Sequence, residues 1–113
     1  MPPGESDPVN VRFYRSRVEG KKYTAVFALR NGRQRTVHFG AAGMSDYTKH
    51  RDDARKERYL KRHKPNENWD DPLTAGALSR WVLWNKKTLR DSKADFMRRF
   101  RLGDKYRTGS KKI

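Results

Sequence analysis

Between residues 9 and 40 the chain repeats one pattern three times: a run rich in Val, Phe, Tyr and Thr, closed by a turn signal. The first break is Glu19-Gly20 and the second is Asn31-Gly32. β-Branched and aromatic residues suit a pleated, half-buried surface. Asn-Gly is the strongest two-residue hairpin signal, because it supplies positive φ at both central positions of a type I′ turn, whose twist matches the flanking strands. In the middle run Tyr23, Ala25, Phe27 and Leu29 alternate with Thr24, Val26, Ala28 and Arg30, so one face is apolar. The pattern predicts a three-stranded antiparallel meander with Phe13, Phe27 and Phe39 as core candidates.

Helical signals follow. The string FGAAGMSDYTKH reads as a loop, in which Gly40 and Gly43 bracket a tight connection that approaches a neighbouring backbone. Asp52 or Asp53 suits the N-cap of a helix reading ARKERYLKRHK, with acids in its first turn and bases in its last, and Pro65 ends it. Tyr59 and Leu60 leave that helix a narrow apolar stripe; Arg55, Lys56, Arg58, Lys61 and Arg62 make the rest a solvated surface. Asp71 as cap, with Pro72 at the first helical position, predicts a second helix over residues 73–84. Leu73, Ala77, Leu78, Trp81, Leu83 and Trp84 make it the most apolar element, with Trp69 just before it. The helical spacing of the tryptophans among leucines assigns them to the core; stacking on unpaired bases is the alternative, strongest for Trp84. Thr88 and Asp91 resemble a capping box for a third helix, carried by Leu89, Phe96, Met97 and Phe100 to about residue 102 and stopped by Gly103.

The expected fold class is therefore α+β: a three-stranded antiparallel β-meander followed by about three α-helices packed on one face. Residues 1–8 are expected to form a flexible arm, residues 9–103 a single domain and residues 104–113 a mobile basic tail. No stretch approaches the roughly 18 apolar residues of a membrane span, and the N-terminal MPPGESDPV lacks the order of a signal peptide. With no cysteine, disulfides and thiolate metal sites are excluded.

Charge points to the partner. Lys and Arg number 28 against 13 Asp and Glu, a formal net charge of +15. A field of that sign attracts polyanions, and nucleic acid ranks above an anionic membrane because no basic helix carries an apolar face suited to lipid. Residues 10–40 hold eight basic residues and one acid, and residues 73–103 hold eight and two; residues 41–72 are nearly balanced.

Catalytic signals are weak. No GxxxxGK[ST], GxGxxG, GxSxG or HExxH spacing occurs. His50, Asp52, Asp53 and His63 are residue types that bind divalent metals or serve nucleases, but His50 and His63 are thirteen residues apart and Asp52 and Asp53 are already assigned to capping a helix. The expectation is a non-enzyme without cofactor or metal. No zinc finger, zipper heptad or RRM signature is present; the helices on either side of Asn85 leave a helix-turn-helix-like arrangement open.

The strings FG followed by SDYTKH, then ERYLKRH, ENW and DPLTAGALSRWVLWNK, occur in this order. In them the chain resembles a family of small basic proteins of unknown function from giant, nucleocytoplasmic large DNA viruses, over residues 23–100. The resemblance implies a viral origin and a shared fold, and it supplies no catalytic residues. Charge and resemblance together predict largely sequence-unspecific binding of nucleic acid, foremost double-stranded DNA, in packaging or condensing a viral genome. The place expected is the virion, the host nucleus or a cytoplasmic viral factory, without secretion or membrane attachment. The competing reading is a structural protein using its basic surface on an acidic protein partner, such as another virion component; a nuclease ranks lower. An open sheet edge would favour a homodimer.

The candidate phosphate contacts fall in three groups: Arg12, Lys22, Arg33 and Arg35 of the sheet; Arg98, Arg99 and Arg101 of the last helix; Lys105, Arg107, Lys111 and Lys112 of the tail. Arginine grips phosphate with paired hydrogen bonds and lysine acts as a compact charge.

Overall fold

A computed structural model describes residues 4–103. Strands β1 (Pro8–Arg15), β2 (Lys21–Leu29) and β3 (Gln34–Ala41) form an antiparallel sheet in the order β1-β2-β3. Four helices follow: α1 (Tyr47–His50), α2 (Asp53–His63), α3 (Ala75–Leu78) and α4 (Leu89–Arg99). The fold is the expected α+β meander covered by helices. Alternation sets which face is covered: Val11, Phe13, Ala25, Phe27 and Phe39 turn inward against Leu78, Val82, Leu83, Phe96 and Leu102. Phe96 is the keystone, meeting the Phe13 ring edge-on at 5.8 Å and the Phe27 ring at 6.4 Å.

Several local expectations are corrected. The β2–β3 connection is a three-residue loop and not a type I′ turn. Leu29 N–H donates to the Arg33 carbonyl at 2.8 Å, Gly32 N–H donates to the Leu29 carbonyl at 2.9 Å, and Gly32 takes φ +87 while Asn31 stays out of the left-handed region. Asn31 instead uses its side-chain oxygen to accept from Arg33 N–H. The arm expected over residues 1–8 is already held from Glu5: the Glu5 and Asp7 carbonyls accept from Asn31 and Arg30 N–H, and Pro8 lies in β1.

Asp52 is the α2 cap, accepting from Ala54 and Arg55 N–H. Pro65 does not stop the chain at once but sits within a 3₁₀ turn, Lys64–Asn66, that prolongs α2. The second helix starts later than expected. Asp71 accepts from Leu73 N–H, two residues on, which makes a local turn, and Thr74 caps α3 by accepting from Ala77 N–H. After one α-turn the backbone widens into a π-turn, Ser79–Leu83, closed by Trp84 N–H on the Ser79 carbonyl. Thr88 caps α4 as expected. Gly103 is not its stop: Arg101 takes the left-handed conformation (φ 55), and Gly103 exchanges hydrogen bonds with Val9 and Val11 along the open edge of β1.

Candidate nucleic-acid interface

The four sheet cations do not form one face. Arg12 pairs across the sheet with Val26 and so points away from Phe13, but it is only 7% exposed, its guanidinium 5.4 Å from the Tyr14 ring centre. It is not presented to a phosphate as expected. Lys22 is also committed: its ammonium donates to the Asp46 carboxylate at 2.6 Å and to the Met44 carbonyl at 2.7 Å. Arg35 pairs with Phe27 and so takes the opposite face from Arg12, while Arg33 lies at the end of the loop. Arg30, Arg33 and Arg35 are exposed at this end of the sheet, where Glu5 and Asp7 lie beside them.

In α4, Arg98 and Arg99 reach the Asp95 carboxylate at 3.1 and 3.3 Å, and Asn85 donates to it at 2.7 Å. Burial opposes the charge on Asp95, but the hydrogen bonds from Asn85 and Arg98 and the nearby Arg99 outweigh it and hold the carboxyl below its usual range. Arg99 also lies 3.7 Å from the Trp81 ring centre. Arg101 is exposed. Lys105, Arg107, Lys111 and Lys112 lie outside the described residues.

The opposite end of the sheet offers a better arrangement. Two turns meet there. One runs from Val18 to Lys21 and the other from Ala41 to Met44; each closes with a hydrogen bond between its end residues, and Ala42 N–H donates to the Gly20 carbonyl at 3.0 Å. Between them opens a groove of about 450 Å³ lined by Arg15, Lys21, Lys22 and Lys49, with Ser16, Ser45 and the loop of Ala42, Gly43 and Met44. No carboxylate lines it. Arg15, Lys21 and Lys49 are exposed, and the Lys22–Asp46 pair beneath fixes the loop by joining β2 to the start of α1, where Asp46 also accepts from Thr48 N–H. Met44 and Val18 are exposed at 66% and 44% beside it.

A cleft of about 460 Å³ adjoins this groove and shares Lys21, Lys22, Met44 and Ser45 with it. Its far wall is aromatic. Tyr59 of α2 stacks on Trp84 with ring centres 4.1 Å apart and planes 4° from parallel, and on its other face meets His63 at 4.1 Å. His63 Nδ1 lies 3.3 Å from Glu67, which also accepts from the Trp69 indole at 2.9 Å. Burial, then the charge of Glu67, pushes the Tyr59 phenol up to about 12, against the hydrogen bond to Ser79. The π-turn carries Trp84 to this stack, so it is neither a pure core residue nor a free platform.

The four residues weighed as metal ligands have other partners. Asp52 caps α2, Asp53 accepts from the Tyr47 hydroxyl at 2.5 Å, and His50 Nδ1 accepts from Asp52 N–H at 2.9 Å. Among the described residues no three His, Asp or Glu side chains converge on a metal position. Nor, among them, is any helix long and apolar enough to cross a membrane.

Arg15, Lys21 and Lys49 were missed by local reading because they end one strand, begin the next and sit in a one-turn helix. Two turn signals and the glycine-bracketed loop were the only hints in the sequence.

A model of a family of unknown function (DUF5754) matches residues 11–63, which run from β1 to the end of α2. The groove residues all fall within this stretch, whereas Trp84, α3 and α4 lie beyond it. No curated protein and no solved structure matches the chain.

Proposed function

We propose that this protein binds nucleic acid through its phosphate backbone, without catalysis and largely without regard to sequence, and that the groove between the two turns is the principal contact. The observation that carries the reading is a concave site walled by four cations and no carboxylate, on a chain of net charge +15. Lys22 is neutralised by Asp46, so Arg15, Lys21 and Lys49 are the phosphate ligands, with Arg17 and Arg51 exposed close by in sequence. Arg33, Arg35 and Arg101 at the far end are secondary contacts. Coating or condensing a viral genome, in the virion or where it is assembled, is the setting that fits the resemblance to giant-virus proteins.

The test is affinity for duplex DNA, single-stranded DNA and RNA across a salt series. Three to five phosphate contacts give a slope of log K against log salt of about −3 to −5 on duplex, and each lost cation reduces it by about one. Lys21→Ala with Lys49→Ala should flatten the slope by about two at both of two unrelated sequences. Absence of binding at the lowest salt would sink the proposal.

The second reading, an acidic protein partner, is favoured by one observation: Val18 and Met44 stand exposed among the same cations. Polyglutamate competing as well as DNA of equal charge would favour it.

A further inference from the structure

We infer that the groove and the adjoining cleft form one site for an unpaired nucleotide, with the phosphate in the basic groove and the base in the aromatic cleft. This rests on the phosphate-binding reading and adds to it a preference for single strands.

Continuity is the first argument. Groove and cleft share Lys21, Lys22, Met44 and Ser45, so a ligand can occupy both at once. Polarity is the second. The charged side chains lining the groove are all cations, while the cleft adds Phe39, Tyr59, Leu83 and Trp84, with Asp46, Arg62, His63 and Glu67 also in its lining. A charged head, a flat apolar body and a hydrogen-bonding edge are the parts of a nucleotide. The cleft volume of about 460 Å³ lies within the usual range for small-ligand sites.

The stack decides where the base would lie. Tyr59 has both faces covered, by Trp84 and by His63, so it cannot itself receive a base. The series ends at His63, whose side chain is 36% exposed and lines the cleft. A base laid on the outer face of His63 extends a pile already built from three rings, with Glu67 beside it to accept from an exocyclic amine or, in thymine, from the ring imide N–H. A duplex keeps its bases stacked inside and cannot do this without unpairing, which costs a few kcal/mol. Stacking is tolerant of base identity, in keeping with the absence of a sequence-reading motif.

The experiment compares an oligothymidylate with a duplex of equal length, followed by salt-series affinity and tryptophan fluorescence. The full-length protein should prefer the single strand, and its emission should change with the single strand but not with the duplex. His63→Ala should weaken single-strand binding about tenfold while leaving duplex binding unchanged. Met44→Glu, on an exposed side chain at the junction, is the second probe and should lower single-strand affinity without altering thermal unfolding. A free nucleoside monophosphate as competitor separates a small-molecule site from a strand-binding one: displacement of the strand at comparable concentration marks the former, and its failure marks the latter.

Equal losses on single strand and duplex, or none on either with both variants, would overturn the cleft inference while leaving phosphate binding standing. Loss of binding to every polyanion would remove both. A phosphorylated or acidic peptide that displaces the strand from the wild type and is indifferent to His63→Ala would assign the groove to a protein partner and also overturn the inference.

Discussion

The ammonium of Lys22, which lines both groove and cleft, meets at 2.6 Å the carboxylate of Asp46, which lines the cleft alone and is almost wholly enclosed. One pair thereby ties β2, the Ala41–Met44 turn and α1 together, since Lys22 also donates to Met44 and Asp46 also accepts from Thr48. Removing one partner leaves a charge enclosed without its counterion. Asp46→Asn should destabilise by about 3–5 kcal/mol, and adding Lys22→Met should recover part of that loss. Urea denaturation of the two variants checks both statements.

Gly40 and Gly32 both take positive φ, at +80 and +87, but in different surroundings. A Cβ on Gly40 would stand 2.9 Å from Leu83 Cδ1 and 3.0 Å from Lys22 Cβ, whereas nothing lies within 4 Å of one on Gly32. Gly32→Ala should therefore cost only the left-handed backbone penalty, about 1–2 kcal/mol. Gly40→Ala adds overpacking of about 1–3 kcal/mol and should open the cleft wall at Leu83. Thermal unfolding of the pair, side by side, reads the difference.

Phe96 is fully buried against Phe13, Phe27 and Phe100. Phe96→Ala should cost about 3–5 kcal/mol, through lost burial and the cavity left behind. The same measurement on Met44→Ala should show almost no change, because that side chain is exposed.

Two groups set opposite limits on the pH range of stability. The Tyr59 phenol is raised from 10.0 to about 12, so the neutral form is favoured in the fold. Its contribution is complete below pH 10 and is lost as pH rises toward 12; Tyr59→Phe should blunt that alkaline loss. Asp95 is held below its ordinary value of 3.8, so its contribution is complete above that value and fades as pH falls. Asp95→Asn should be less stable at neutral pH and less sensitive to acid. Denaturation midpoints between pH 2 and pH 11.5 test both.

The sequence by itself determined the meander, its buried face and the caps of the long helices, because these are local properties. Phe13, Phe27 and Phe39 are placed by period two; Asp52 and Thr88 satisfy amides within three residues of themselves. Charge composition likewise needs no fold to be read. Tertiary structure decided which cations are presented. Arg12 and Lys22 look like any other strand cation in sequence, yet one is buried beside Tyr14 and the other is held by a carboxylate 24 positions away. Arg15 and Lys21 are brought together by the pairing of β1 with β2, and Lys49 joins them only when the Ala41–Met44 turn docks on that hairpin, with Ala42 N–H donating to the Gly20 carbonyl. The π-turn that carries Trp84 onto Tyr59 likewise has no local signature, and the stack it completes joins two residues far apart in sequence. Burial and long-range proximity depend on how elements pack, and no residue's near neighbours in sequence encode that.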